Sequence, residues 1–176
     1  MARLLGVLTA ALLLVPAGAD AQGRPQTREG FFASFGFGYG SLGCKDCVDR
    51  ISGGAFYLVL GGALSQKLTL GGEVTAWGRS EDGATLTFGS VGPVIRFYPS
   101  PTGGFYLKGG VGLATLELDA GIFSGNTTGG GLVLGLGYDG RVGRNFSLTP
   151  FFDLVSGAFD GGTANSVHFG LGFSFH

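Results

Sequence analysis

Charge is what this chain has least of. Only 13% of its 176 residues are Asp, Glu, Lys or Arg, and the formal net charge is −1. The lysines and arginines are scattered singly, with no basic stripe, which excludes nucleic acid as a partner. Long apolar runs are also missing. The only sustained one, Leu4–Val15, is too short to cross about 30 Å of hydrocarbon as a helix. There are two cysteines, Cys44 and Cys47, short of the four ligands of a structural zinc. The glycines of Gly36-Phe-Gly38-Tyr-Gly40 open no strand–loop–helix unit, so they do not form a phosphate cradle. The two histidines, His168 and His176, have no matching serine and acid, so no catalytic set is expected and the chain reads as a non-enzyme.

What is abundant is glycine and phenylalanine, 37 and 16 residues, in a chain that is 44% hydrophobic. Disordered chains have few aromatics, so this composition points to order. The N-terminus has the pattern of a secretory signal: Arg3, the apolar stretch Leu4–Val15, the breaker Pro16, and small residues at Ala19 and Ala21 before Gln22. Cleavage after Ala21 fits best, with Ala19 as the alternative. Residues 1–21 are read as the signal peptide and 22–29 as a flexible lead.

From residue 30 to 176 the chain alternates with period two, the signature of strands with two unlike faces. The clearest case is Ser166–His176. Val167, Phe169, Leu171, Phe173 and Phe175 share one face, and Ser166, His168, Gly170, Gly172 and Ser174 share the other. Seven earlier segments repeat the pattern: Gly30–Gly40, Gly53–Leu64, Lys67–Ser80, Ala84–Tyr98, the segment from Phe105 to Leu118, Gly130–Val142 and Phe146–Ser156. Two of them lose phase. In Ala84–Tyr98, Leu86 and Phe88 sit on one parity and Val91, Pro93, Ile95 and Phe97 on the other, which predicts a bulge near Gly89–Ser90. A similar shift follows Leu113 toward Leu116 and Leu118. Pro93 and Pro150 are awkward for central strands, since proline cannot donate to a ladder.

Eight segments of roughly 9–11 residues, with short turns alternating with looser loops, predict an all-β, eight-stranded antiparallel up-and-down transmembrane β-barrel. The loops are expected at 41–52, 80–84, 115–130 and 157–165. A soluble barrel would be apolar inside and polar outside. Here the face opposite the Leu/Phe row is mostly Gly, Ala and Ser, too poor in charge for a soluble exterior, so lipid is placed on the outside. The inward charges are then Lys67, Glu73, Arg79, Arg96, Lys108, Asp139, Arg141 and Asp153. A buried unpaired charge is costly, so they are expected to pair across the lumen: Glu73 with Arg96 or Lys108, and Asp153 with Arg141. The alternative is that they line a solute path. His168 points inward as a lumen hydrogen-bonding residue. In an oxidising compartment Cys44 and Cys47 suit a small disulfide in the first outer loop, with metal binding as the alternative. Asn126-Thr-Thr128 matches a glycosylation sequon but reads as a polar loop tip.

The signal peptide, the eight alternating segments and the terminal aromatic row resemble the outer membrane β-barrel protein family, of the small type represented by outer membrane protein X and the outer membrane protein A transmembrane domain. The resemblance implies a monomeric barrel in the outer membrane lipid, with no cofactor. It also implies that Phe169, Leu171, Phe173 and Phe175 form the signal read by the barrel-assembly machinery. The function expected is a non-enzymatic structural or loop-mediated role in the cell envelope. A narrow porin-like channel is the alternative, and a lipid-modifying enzyme a weaker one.

Overall fold

The structure, a computed structural model, describes residues 28–44, 49–121 and 123–176. The signal peptide and most of the expected lead therefore lie outside the described residues, as does Cys47. The strands are β1 (Phe31–Cys44), β2 (Ile51–Ser65), β3 (Leu68–Glu81), β4 (Ala84–Phe97), β5 (Phe105–Asp119), β6 (Ser124–Tyr138), the two-residue β7 (Gly140–Arg141), β8 (Phe146–Phe159) and β9 (Gly162–Phe175). From β1 to β6 each strand pairs antiparallel with the next, and β8 pairs likewise with β9. β7 continues the line of β6 along β8, and β1 pairs with β9, so eight long strands close into a ring. Closure leaves no open side at membrane depth, where an unpaired backbone group is costly.

The registers also fix the tilt. A path at right angles to the strands from Phe32 passes through Gly61, Gly71, Val94, Gly110, Val133, Val155 and Ser166. It returns to β1 at Leu42, ten residues further on. A shear of ten over eight strands corresponds to a tilt of roughly 40°.

The expected bulge at Gly89–Ser90 does not exist. β3 and β4 stay in one register from Leu68↔Phe97 to Glu81↔Ala84. Nor does β5 slip: Leu113 and Leu116 keep the same register against β4. The apolar residues change faces while the backbone does not. Val91, Ile95 and Phe97 are exposed on the outside, whereas Phe88 is fully buried inside, with Leu86 and Leu116 packed near it.

The reason is a change of surroundings along the barrel axis. Toward the end where β1 begins and β9 finishes, the outside is apolar and begins with a ring of exposed aromatics: Phe31, Phe97, Phe105, Tyr138 and Phe175. Toward the other end the outward positions become Ser41, Ser80, Thr85, Thr115, Thr128, Ser156 and Asn165, and the inside fills with Leu42, Trp77, Phe88, Ala114, Val133, Val155 and Ala164. With this shear, a plane normal to the axis slips about one and a quarter residues at each strand. Started between Tyr39 and Leu42, it crosses near Gly54, Trp77, Gly89, Leu113, Gly130, Ser156 and Ser166. In every long strand except β6, which carries no apolar side chain above Gly130, that is where the apolar row changes sides. The inversion lies in one plane, as a lipid–water boundary does. About eight residues of tilted strand separate it from the aromatic ring, roughly 20 Å, near the height of a barrel's apolar band.

Strands of 14–15 residues therefore rise beyond the lipid, and much of what was expected to be loop is strand. The outer links shrink to 45–50, 82–83, 120–123 and 160–161. Asp82 and Gly83 both have positive φ, 50° and 80°, as a two-residue type I′ hairpin requires. Both prolines sit on the outer row where pairing is interrupted. The β4–β5 ladder skips Gly92 and Pro93, and the β6–β8 ladder stops opposite Pro150.

One outward row of β6 tests the plane. Leu134→Arg, in the middle of the apolar band, should cost about 2–4 kcal/mol, and Thr128→Arg, above it, about 0–1 kcal/mol. Denaturant unfolding in lipid vesicles measures both, and equal costs would remove the boundary.

Candidate functional site

The lumen is stacked in three layers. At the end where β1 begins and β9 finishes, alternation points Ser34 of β1, Tyr57 of β2, Thr149 of β8 and Ser174 of β9 inward, where all are buried. A hydrogen-bond chain runs through them. Tyr98 donates to Asp139 Oδ2 at 2.9 Å and Thr149 to Asp139 Oδ1 at 2.8 Å. Hydroxyl contacts then follow from Thr149 to Ser174, Ser174 to Ser34 and Ser34 to Tyr57, at 2.9, 2.8 and 3.0 Å. The His176 imidazole lies 3.4 Å from Asp139 and stacks on Phe32. Tyr57 lies flat because its neighbours are glycines: a Cβ on Gly36 would come within 2.4 Å of its ring, and one on Gly172 within 2.3 Å of its hydroxyl.

Arg28 closes this end. Expected to belong to a free lead, it is instead 1% exposed. Its guanidinium lies 3.5 Å over the Tyr98 ring and donates to the carbonyls of Gln66, Pro101 and Gly103. Just inside, Arg96 is fully buried against the rings of Tyr106, Phe32 and Tyr57, at 4.7, 5.5 and 5.8 Å.

At mid-height Lys108 donates to Glu73 at 2.9 Å and to Asp153 at 2.8 Å, with all three side chains essentially inaccessible. Asp153 therefore pairs with Lys108 and not with Arg141, which lies lower, in β7, opposite Ser147. Of the two expected partners of Glu73, Lys108 is the one that bonds it, because a single ammonium on β5 reaches carboxylates on β3 and β8. Arg79 and Lys67 are not in this network. Arg79 is at the outer rim, 2.6 Å from Glu81 and partly exposed, and Lys67 is exposed beside the β2–β3 turn. His168 is buried next to Asp153 in the β8–β9 register.

The third layer is apolar: Trp77, Phe88, Leu42, Val133 and Val155, capped by Leu86, Leu116 and Phe159. Reading the sequence as one lipid-facing row missed this layer, along with Arg28 and the tyrosines. The signal was present in the phase changes of β4 and β5. On the outside, Phe169, Leu171 and Phe175 of β9 are exposed and Phe173 is partly so. Cys44 ends β1. Asn126 is in β6 and not in a loop tip.

Removing one member of a buried ion cluster strands the others. Lys108→Met should cost about 3–5 kcal/mol in urea unfolding followed by heat-modifiable migration. Adding Glu73→Gln and Asp153→Asn should restore most of it, and failure to recover would mean that Lys108 acts by packing alone.

No protein-family model and no curated protein matches the chain. Solved structures do. Neisserial surface protein A superposes with a TM-score of 0.68 at 13% identity, over 85% of this chain and 99% of that one. Ail, the attachment invasion locus protein of Yersinia pestis, gives 0.59 at 15%, over 84% and 99%. The N-terminal β-barrel domain of Pseudomonas aeruginosa OprF gives 0.50 at 14%, over 85% and 98%. With its closed ring of eight antiparallel strands, apolar exterior and polar lower lumen, the chain has the fold of the small eight-stranded outer-membrane β-barrels.

Proposed function

We propose that this protein is a sealed, monomeric, non-enzymatic barrel of the bacterial outer membrane whose role is carried by its outer end. The observation that carries this reading is the pair of barriers in series. The Lys108 cluster with the tyrosine–hydroxyl chain below it blocks the membrane-level lumen, and the Trp77–Phe88 layer blocks the lumen above it. Eight strands leave an interior just wide enough for side chains, and both layers fill it. A narrow channel would need both to open.

The outer end also limits the kind of partner. One Ail structure is in complex with the heparin analogue sucrose octasulfate, a polyanion. Here the described residues of the outer end include Asp49, Glu81, Asp82, Glu117, Asp119 and Asp160 against Arg50 and Arg79. Both arginines are engaged, Arg50 with Ser41 and Asn165 and Arg79 with Glu81. That surface favours cationic partners over polyanions. In this reading the outward row Phe169, Leu171, Phe173 and Phe175 faces lipid and serves the barrel-assembly machinery, and a Cys44–Cys47 disulfide ties the link after β1.

Planar-bilayer recording tests the closure. The native protein should give no stable conductance steps, and Trp77→Ala alone should stay closed because the charged layer beneath it remains. Large, stable steps from the native protein would replace this reading with a channel.

A further inference from the structure

Above the lipid the barrel wall is incomplete on one side. β6 pairs with β5 along its whole length, up to Ser124↔Asp119. Its pairing with β8 begins only at Gly130↔Ala158, because β8 ends at Phe159 and turns back through 160–161. Among the described residues, Ser124–Thr128 thus has no partner strand on its β8 side, and all five residues are exposed. Unpaired edges of this kind are normally blunted by lysine, proline or a bulge. Ser-Gly-Asn-Thr-Thr contains neither residue, and its register with β5 is continuous.

Beside that edge, over the β8–β9 hairpin, is a cavity of about 370 Å³ with Leu116, Phe159 and Ala164 in its lining and Thr127 on the β6 side. A strand added antiparallel to β6 would stand in line above β8. One alternate row of its side chains would enter this cavity, since successive side chains of a strand point to opposite faces. The flanking charges are acidic. Glu117 lies across from Asn126 on β5, and Asp160 is in the hairpin below. A second copy of this chain would bring the same acids and be repelled.

We propose that Ser124–Thr128 and the adjoining cavity form a strand-addition site for an extended, cationic polypeptide segment that alternates basic and apolar residues. Backbone pairing would supply the attachment, and the cavity would select the apolar row. This rests on the reading that the outer end is the working surface. It does not depend on closure of the lumen, so the conductance test and the one below fail independently.

The probe is acetyl-Arg-Leu-Arg-Val-Arg-Leu-Arg-amide, added to the full mature protein in zwitterionic phospholipid nanodiscs. Empty discs and a peptide of the same composition with its arginines in one block serve as controls. The alternating peptide should slow amide hydrogen exchange within 124–128 and bind at least about tenfold more tightly than the block peptide. Ala164→Trp, which fills the cavity, should weaken it by about tenfold while heat-modifiable migration confirms the barrel is intact. Equal binding of the two peptides would reduce the surface to non-specific charge and overturn the proposal. So would binding without protection of 124–128, or dimerisation through β6 in the absence of peptide.

Discussion

Hydrocarbon offers no hydrogen-bond partner to a backbone N–H or C=O, so a sheet that lives there has to close on itself and stay closed through the whole apolar band. Most other features follow from that requirement. Closure at eight strands sets a narrow bore, the bore demands glycine or small polar residues on much of the inward face, and the tilt lengthens each strand. Proline is admitted only where its ring faces lipid and the ladder is already interrupted, as at Pro93 and Pro150. Once a strand rises out of lipid the requirement disappears. Water can then satisfy the outer surface, and the cheapest place for apolar side chains becomes the interior. The exchange of faces near Trp77, Gly89 and Leu113 is that change of solvent written into the sequence.

The two interiors this creates are held by different forces. Below the boundary, Lys108 lies between Glu73 and Asp153, where desolvation is costly and only close geometry offsets it. Hydroxyls and tyrosines occupy the remaining space as a connected chain, which suits a region where each unsatisfied polar group is expensive. Above the boundary, Trp77, Phe88 and their neighbours pack as an ordinary apolar core. Water entering from the outer end meets that core first, and solute entering from the other end meets Arg28 stacked on Tyr98. Neither barrier depends on the other.

The alternation made the fold class, the strand number and the inward face legible, because lipid imposes the same face on every strand. Leu86, Phe88 and Leu116 were misread for a related reason. Their parity was assumed to report a backbone defect, when it reported a second solvent. The ion pairing was only half legible. Parity put Lys108, Glu73 and Asp153 in one lumen, but it could not say that one ammonium would bridge two carboxylates or that Arg79 would sit above the boundary. The loops were overestimated because Ser, Thr, Gly and Asn, read as loop formers in 115–130, are what the outward face of a strand needs once it stands in water.

The seam between the first and last strands, β1 against β9, shows how the two regimes cooperate at one edge. At membrane depth its outward partners are aromatic. Phe35 and Phe173 have ring centroids 5.5 Å apart and Tyr39 and Phe169 5.6 Å apart, cross-strand pairs of the kind that stabilise a sheet from its surface. Inside, Ser34 and Ser174 are bonded directly at 2.8 Å. Above the boundary, where aromatic pairs on the outside would face water, Arg50 takes over. It donates from Nε to the Ser41 hydroxyl at 3.0 Å and from Nη1 to Asn165 at 2.6 Å, spanning both strands of the seam. A charged staple is worth little on most surfaces. At this position it acts on the one strand pair that no hairpin connects, so the edge most prone to fray is held by lipid-facing rings, by buried hydroxyls and by a guanidinium in water, each in the medium that favours it.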